Sequence, residues 1–129
     1  MTQKFGPSKN GQSERAKAIR KLDTALSQLI RARDRACITC GRGHVPLDAG
    51  HFRRRECVAT RFDYRNVAGQ CKKANRFEGG KPYEFGLAID ERFGKGTAAR
   101  LFKLSKTTEE WKIGELEQFM VVRHRFRRW

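Results

Sequence analysis

The sequence predicts a small α+β domain, on three observations. An amphipathic stripe runs through its first third, a Gly- and Cys-rich middle holds two strand-like pieces, and helical patterns return from Tyr83 onward. With 129 residues the chain suffices for one domain and not comfortably for two. Hydrophobic residues make up 38% and charged residues 33%, so the core should be modest. Small domains with thin cores often recruit a metal.

Net charge narrows the partners. The chain carries 29 Lys and Arg against 14 Asp and Glu, a net +15. Nucleic acid is the favoured partner, because a polyphosphate releases counterions when Lys and Arg dock on it. A basic membrane-surface protein would need a large apolar helix face or a lipid anchor, and no membrane partner is expected. Residues 1–12 are polar and lack the apolar stretch of a signal peptide. The expected location is a reducing cytoplasm, where four Cys read as metal ligands or free thiols.

In chain order, residues 1–12 contain Gly6-Pro7-Ser8 and Asn10-Gly11, expected as a flexible basic arm that touches DNA. Ser13 is expected to cap a helix spanning 13–35. Ile19, Leu22, Leu26 and Leu29 alternate spacings of three and four along it. The stripe fits packing on the domain, and also a short dimer interface. Leu47–Phe52 and Thr60–Asp63 read as strands. Tyr83–Phe93 reads as a helix ended by Gly94. Thr97 is expected to cap a short helix carrying Ala98, Leu101, Phe102 and Leu104. A last helix covers Glu115–Phe126, with Leu116, Phe119 and Met120 inward and its acids and Arg cluster at the ends the helix dipole favours.

The middle carries the chemistry. Cys37-x-x-Cys40-Gly41 is a zinc-knuckle pattern: the two-residue spacer lets both sulfurs face one ion, and Gly relieves the turn. The second pair is reduced to Cys71 and Ala74, and a methyl group cannot ligate. Cys57 completes the site, or His44 or water does, or the thiols simply pack without zinc. His51 follows Gly50 near a strand end, where a neutral imidazole can take a proton from water attacking a phosphodiester. Asn66 can cross-link a turn or orient His51, and Asn75 can offer an amide oxygen to Mg2+ or Mn2+. Singly, such residues are more often phosphate contacts, turns or caps. Their interleaving with the cysteines favours a site.

Cys37-x-x-Cys40-Gly41, Asp48-Ala49-Gly50-His51-Phe52, Thr60-Arg61-Phe62-Asp63-x-x-Asn66-Val67, Gln70-Cys71-x-x-Ala74-Asn75-Arg76, Gly80 and Tyr83-Glu84-Phe85 follow one another in an order that resembles the lambdoid phage NinG (Rap) recombination nuclease family. The resemblance spans roughly residues 25–120. More distantly the string is similar to phage endonuclease VII and the HNH or His-Me finger group. It implies a ββα-metal nuclease core over 36–94, with a helical, Arg-rich segment over 95–129. The activity implied is structure-specific cleavage of branched DNA, such as Holliday junctions and D-loops, by metal-dependent phosphodiester hydrolysis. His51, Asn66 and Asn75 would be catalytic, with Asn75 and Asp48 holding the catalytic Mg2+ or Mn2+. Cys37, Cys40 and Cys71 would hold a structural Zn2+, with Cys57 standing in for the family's fourth Cys at Ala74. Many His-Me finger enzymes place an acidic ligand directly before the His, where this chain has Gly50. The implied partners are branched DNA, a second copy of the chain and phage recombination proteins, in the cytoplasm of a bacterial host.

Arg53, Arg54 and Arg55 follow His51, and Lys72, Lys73 and Arg76 surround Asn75, as a phosphate path through the site would require. Arg123, Arg125, Arg127 and Arg128 end the chain among Phe126 and Trp129, which can stack on unpaired bases. A non-catalytic zinc-knuckle nucleic-acid binder would use the same charge and cysteines. A ribosomal-type RNA-binding protein fits the charge but not the spacing of His51, Asn66 and Asn75.

Overall fold

The structure is a computed structural model that describes residues 9–107, with side chains from Glu14 onward. Helix α1 spans Lys9–Arg33. Strands β1 (Leu47–His51) and β2 (Val67–Cys71) form a two-stranded antiparallel sheet. Its register pairs Leu47 with Cys71 and His51 with Val67. Between the strands lies the short helix α2 (Val58–Arg61), and after β2 comes a single π-helical turn, Lys73–Phe77. Helices α3 (Pro82–Phe93) and α4 (Thr97–Ser105) complete the described chain.

The sheet is enclosed by helices. Val67 and Ala49 pack against Leu22, Leu26 and Ile30 of α1. Ala68 packs against Phe85 and Ile89 of α3 and Leu101 of α4. The α1 stripe is therefore consumed inside the chain, and the dimer interface expected there is buried. No helix among the described residues is long and apolar enough to cross a membrane.

Several boundaries differ from expectation. Ser13 lies inside α1 rather than capping it, and residues 9–12 join the helix rather than an arm. Extending a formed helix adds a hydrogen bond per residue, which outweighs the small helix penalty of an interior Ser. The strand expected at Thr60–Asp63 is instead α2 and its exit. Thr60 and Phe62 are both buried, which mimics strand alternation. A turn follows at once, because Asp63 accepts the Arg65 amide on its carboxylate and the Asn66 amide on its carbonyl. The second strand is Val67–Cys71, whose five residues are all buried and so show no alternation. Gly96 precedes α4 as its cap, and Thr97 donates its hydroxyl back to the Gly94 carbonyl at 2.7 Å. The helix expected at Glu115–Phe126 lies outside the described residues.

One buried charge ties these layers together. The Asp34 carboxylate accepts from the Arg33 guanidinium at 2.8 and 3.0 Å, from Arg92 of α3 at 3.1 Å and from the Gly69 amide of β2 at 2.8 Å. Burial alone would raise its pKa, but the Arg33 and Gly69 hydrogen bonds and the two guanidinium charges hold it below the usual carboxylate value. Truncating one partner of a buried ion pair leaves the others uncompensated, at about 3–5 kcal/mol. Asp34→Ala is expected to lose stability on that scale in urea denaturation, whereas Leu87→Ala, at an exposed position of α3, should change it by under about 0.5 kcal/mol.

Candidate functional site

His51 ends β1 and lines a cavity of about 390 Å³. Asp23, Arg54, Arg55, Glu56 and Asn75 line it too. His51 Nε2 lies 3.2 Å from the Arg61 carbonyl oxygen. A carbonyl only accepts, so Nε2 carries the proton and Nδ1 keeps its lone pair. Burial, with the Arg55 guanidinium adding to it, pushes the imidazole pKa down to about 4, against the opposing pull of Asp23 and the Arg61 carbonyl. His51 is thus a neutral imidazole near pH 7.

The residues that hold this arrangement were not legible in the sequence. Asp23, on α1, accepts from Arg61 Nε and Nη2 at 3.1 and 2.6 Å and pairs with Arg55 at 3.0 Å. It thereby anchors the residue whose carbonyl fixes the His51 tautomer. Within the sequence Asp23 looked like one more polar residue on an amphipathic helix.

Asn66 is fully buried and cross-links the loop leaving β1 to the start of β2. Its Oδ1 accepts the Arg53 amide at 2.8 Å, its Nδ2 donates to the Arg53 carbonyl at 3.1 Å, and its own carbonyl accepts the Phe52 amide at 2.8 Å. It stands just before β2. Asn75 sits on the π-helical turn and donates Nδ2 to Asp48 Oδ2 at 2.9 Å. Asp48 also accepts from Lys72 and twice from Arg76. Burial would raise its carboxyl, but hydrogen bonds from Arg76, Asn75 and Lys72 hold it down at about 2. Gly50 is required where it stands: a Cβ there would overlap the Gln70 amide oxygen and come within 3.0 Å of Gln70 Cβ. No acidic side chain fits directly before His51 while Gln70 keeps its place.

The thiols gather at the other end of the hairpin. The Sγ atoms of Cys37, Cys40 and Cys71 all lie within 4.8 Å of one another, and Cys40 and Cys71 are 3.7 Å apart. The Cys37–Gly41 turn closes through Gly41 N–H to the Cys37 carbonyl at 2.8 Å, with Gly41 at φ +76. Ile38 N–H binds the Gly69 carbonyl at 2.9 Å, fixing this turn to β2. Three such sulfurs suit zinc or another soft ion, and among the described residues no fourth His, Cys, Asp or Glu joins them. Ala74 is fully buried against Cys37 and Cys71. Cys57 and His44 fall outside the cluster: Cys57 precedes α2, and His44 is exposed at φ +58. The expectation of Cys57 as fourth ligand is thus corrected; the α2 turn holds it among other neighbours.

The basic residues divide. Arg54 and Arg55 line the cavity. Arg53 turns away, donating to Ser105 Oγ at 2.9 Å with its guanidinium 4.3 Å above the exposed Phe102 ring. Lys72 and Arg76 are engaged by Asp48, and Lys73 lies 3.9 Å from Glu78. Arg123, Arg125, Arg127 and Arg128 lie outside the described residues.

Two outcomes test this geometry. By NMR, His51 should titrate with a midpoint near 4. Its folded pKa lies below the ordinary 6.5, so its stabilising contribution is complete above about 6.5 and fades as pH falls toward 4; the His51→Gln protein should lack that part of the slope in pH-dependent melting. For the thiols, chelation of zinc-loaded protein should lower its melting temperature, and Cys71→Ser should remove most of that difference.

The model of the family described as Bacteriophage Lambda NinG protein matches residues 7–127. Protein ninG of Salmonella phage P22 is 33% identical over 107 residues, covering 77% of this chain and 53% of that protein. Protein ninG of Escherichia phage 933W is 33% identical over 101 residues, 75% of this chain and 50% of its own length. Protein ninG of Escherichia phage lambda is 29% identical over 101 residues, 75% and 49% respectively. The chain spans about half the length of these curated relatives. No solved structure matches it. With a family match across nearly the whole sequence, the chain belongs to the bacteriophage NinG family.

Proposed function

We propose that this chain is a metal-dependent DNA endonuclease of phage recombination, acting on branched DNA such as Holliday junctions and D-loops. The observation that carries the reading is His51: a neutral imidazole, Nε2 committed to a backbone carbonyl and Nδ1 without a hydrogen-bond partner among the described residues, in a cavity shared with Asn75 and two arginines. Nδ1 takes the proton of the attacking water. Arg54 and Arg55 hold the phosphodiester at the cavity. A bound Mg2+ or Mn2+ would stabilise charge on the phosphate and the leaving oxygen. Asn75 would hold it through one amide oxygen, with water filling the remaining positions, as Mg2+ favours. In this reading the β1–β2 hairpin with the π-helical turn is a ββα-metal unit of the HNH or His-Me finger kind, and Asn66 keeps its His51 end closed. Zinc on the three thiols would staple the other end. The setting would be the cytoplasm of the bacterial host.

In this reading plain duplex DNA is a poorer substrate than a four-way junction. In the decisive assay, junction, flap, D-loop and duplex DNA are incubated with the protein with and without divalent cation. His51→Ala should bind the junction with unchanged affinity and cut it roughly 10²–10⁴-fold more slowly. Cutting at the unsubstituted rate would refute the mechanism. Binding without cutting in any divalent ion would instead identify a zinc-knuckle DNA-binding accessory protein.

A further inference from the structure

Asp48 is saturated. Its Oδ1 accepts from Lys72 Nζ at 2.9 Å and Arg76 Nη2 at 3.0 Å. Its Oδ2 accepts from Arg76 Nε at 2.8 Å and Asn75 Nδ2 at 2.9 Å. An ionised carboxylate offers about four acceptor sites, and four donors occupy them here, so a cation would have to displace one.

The same contacts fix Asn75. Its amide is planar, with an oxygen that can bind a cation and an NH2 that cannot. A carboxylate only accepts, so the NH2 must face Asp48. That choice leaves Oδ1 with no bonded donor among the described residues, on a side chain that lines the His51 cavity. Without an acceptor at this place, the amide would be equally free to present its NH2 to the cavity.

We infer that Asp48 is a positioning residue: it orients the Asn75 amide so that Oδ1 is presented to the catalytic cation, and does not itself ligate that cation. The inference rests on the nuclease reading above. Lys72 and Arg76 then serve Asp48 rather than the DNA backbone. They compensate the charge of a partly buried carboxylate, whose bond to Asn75 is made by Oδ2 itself.

The test uses Mn2+ as the probe on the full chain. The apparent Mn2+ constant is taken both from four-way-junction cleavage and from direct Mn2+ binding by electron paramagnetic resonance. Asp48→Asn keeps an oxygen opposite Asn75 Nδ2 and should stay within about threefold of the unsubstituted protein. Asp48→Ala removes the acceptor and should weaken Mn2+ about 10- to 100-fold, the usual cost of losing an outer-shell partner. Saturating Mn2+ should recover most of its cleavage rate. Lys72→Ala combined with Arg76→Ala keeps the Asn75 bond and should leave the constant within about threefold. If Asp48 were itself a ligand, Asp48→Asn would fall as far as Asp48→Ala, and removing Lys72 and Arg76 would tighten Mn2+ binding. Either result overturns the inference while the nuclease reading stands. Should Asp48→Ala fail to fold, the other two variants still decide. An unsubstituted protein that neither cuts nor binds Mn2+ overturns the nuclease reading and this inference with it.

Discussion

The contact between the Asp34 carboxylate and the Gly69 amide organises this small protein. Asp34 stands just past the end of α1, and Gly69 is the central residue of β2. The approach is close enough that a Cβ on Gly69 would come within 3.0 Å of Asp34 Cβ and 2.9 Å of Leu47 Cδ1. Gly69 therefore serves by having no side chain. Its carbonyl accepts the Ile38 amide, so one residue joins α1 to the turn that carries Cys37 and Cys40. Those two bonds also cover the outer edge of β2, which a two-stranded sheet would otherwise leave open to further pairing. Arg33 and Arg92 make the buried carboxylate tolerable, and Arg92 brings α3 into the same junction.

From that junction the hairpin is fixed at both ends. At one end the register sets Leu47 beside Cys71, next to the thiols. At the other it sets His51 beside Val67, where Asn66 clamps the Arg53 backbone with both halves of its amide. Four residues of strand, about 13 Å, separate the two ends. The thiol cluster and the His51 cavity are thus separate places on one hairpin. Asn75 is the link between them, four residues after Cys71 on the π-helical turn and yet lining the cavity. That turn, besides the strands themselves, connects the thiols to the proposed chemistry.

Much of this was legible in the sequence. The α1 stripe, β1, the α3 helix with its Gly94 terminus and the gathering of Cys37, Cys40 and Cys71 all follow from periodicity, caps and ligand spacing. β2 was not, because Val67-Ala68-Gly69-Gln70-Cys71 is covered on both faces and no alternation survives. The contribution of α1 to the His51 cavity was equally hidden. Asp23 reaches Arg61 across 38 positions of sequence, and the bond that matters to His51 is made by a backbone carbonyl, which every residue possesses. In the sequence Asp48 stands out only through the family resemblance. Its saturation by Lys72, Arg76 and Asn75 follows from the turn after β2, which spacing alone cannot place.

Ala74 gains a physical meaning from the same geometry. It is wholly buried with Cys37, Cys71, Val45 and Leu47, so its methyl group adds apolar packing where a fourth thiolate would add buried charge. A fourth thiolate would tighten a metal considerably, yet it is not needed to bring the other three together. The Ile38–Gly69 bond and the Cys37–Gly41 turn already hold Cys37 and Cys40 beside Cys71 through protein contacts alone. Nor is it needed to hold Asn75, because Asp48 grips that residue from β1 directly. The two tasks a complete four-thiolate site would perform, fastening the turn to the hairpin and fixing the residue after position 74, are here divided among a backbone hydrogen bond, a carboxylate and a methyl group. Alanine rather than cysteine at position 74 would therefore weaken the hold on an ion more than it weakens the placement of the proposed catalytic side chains.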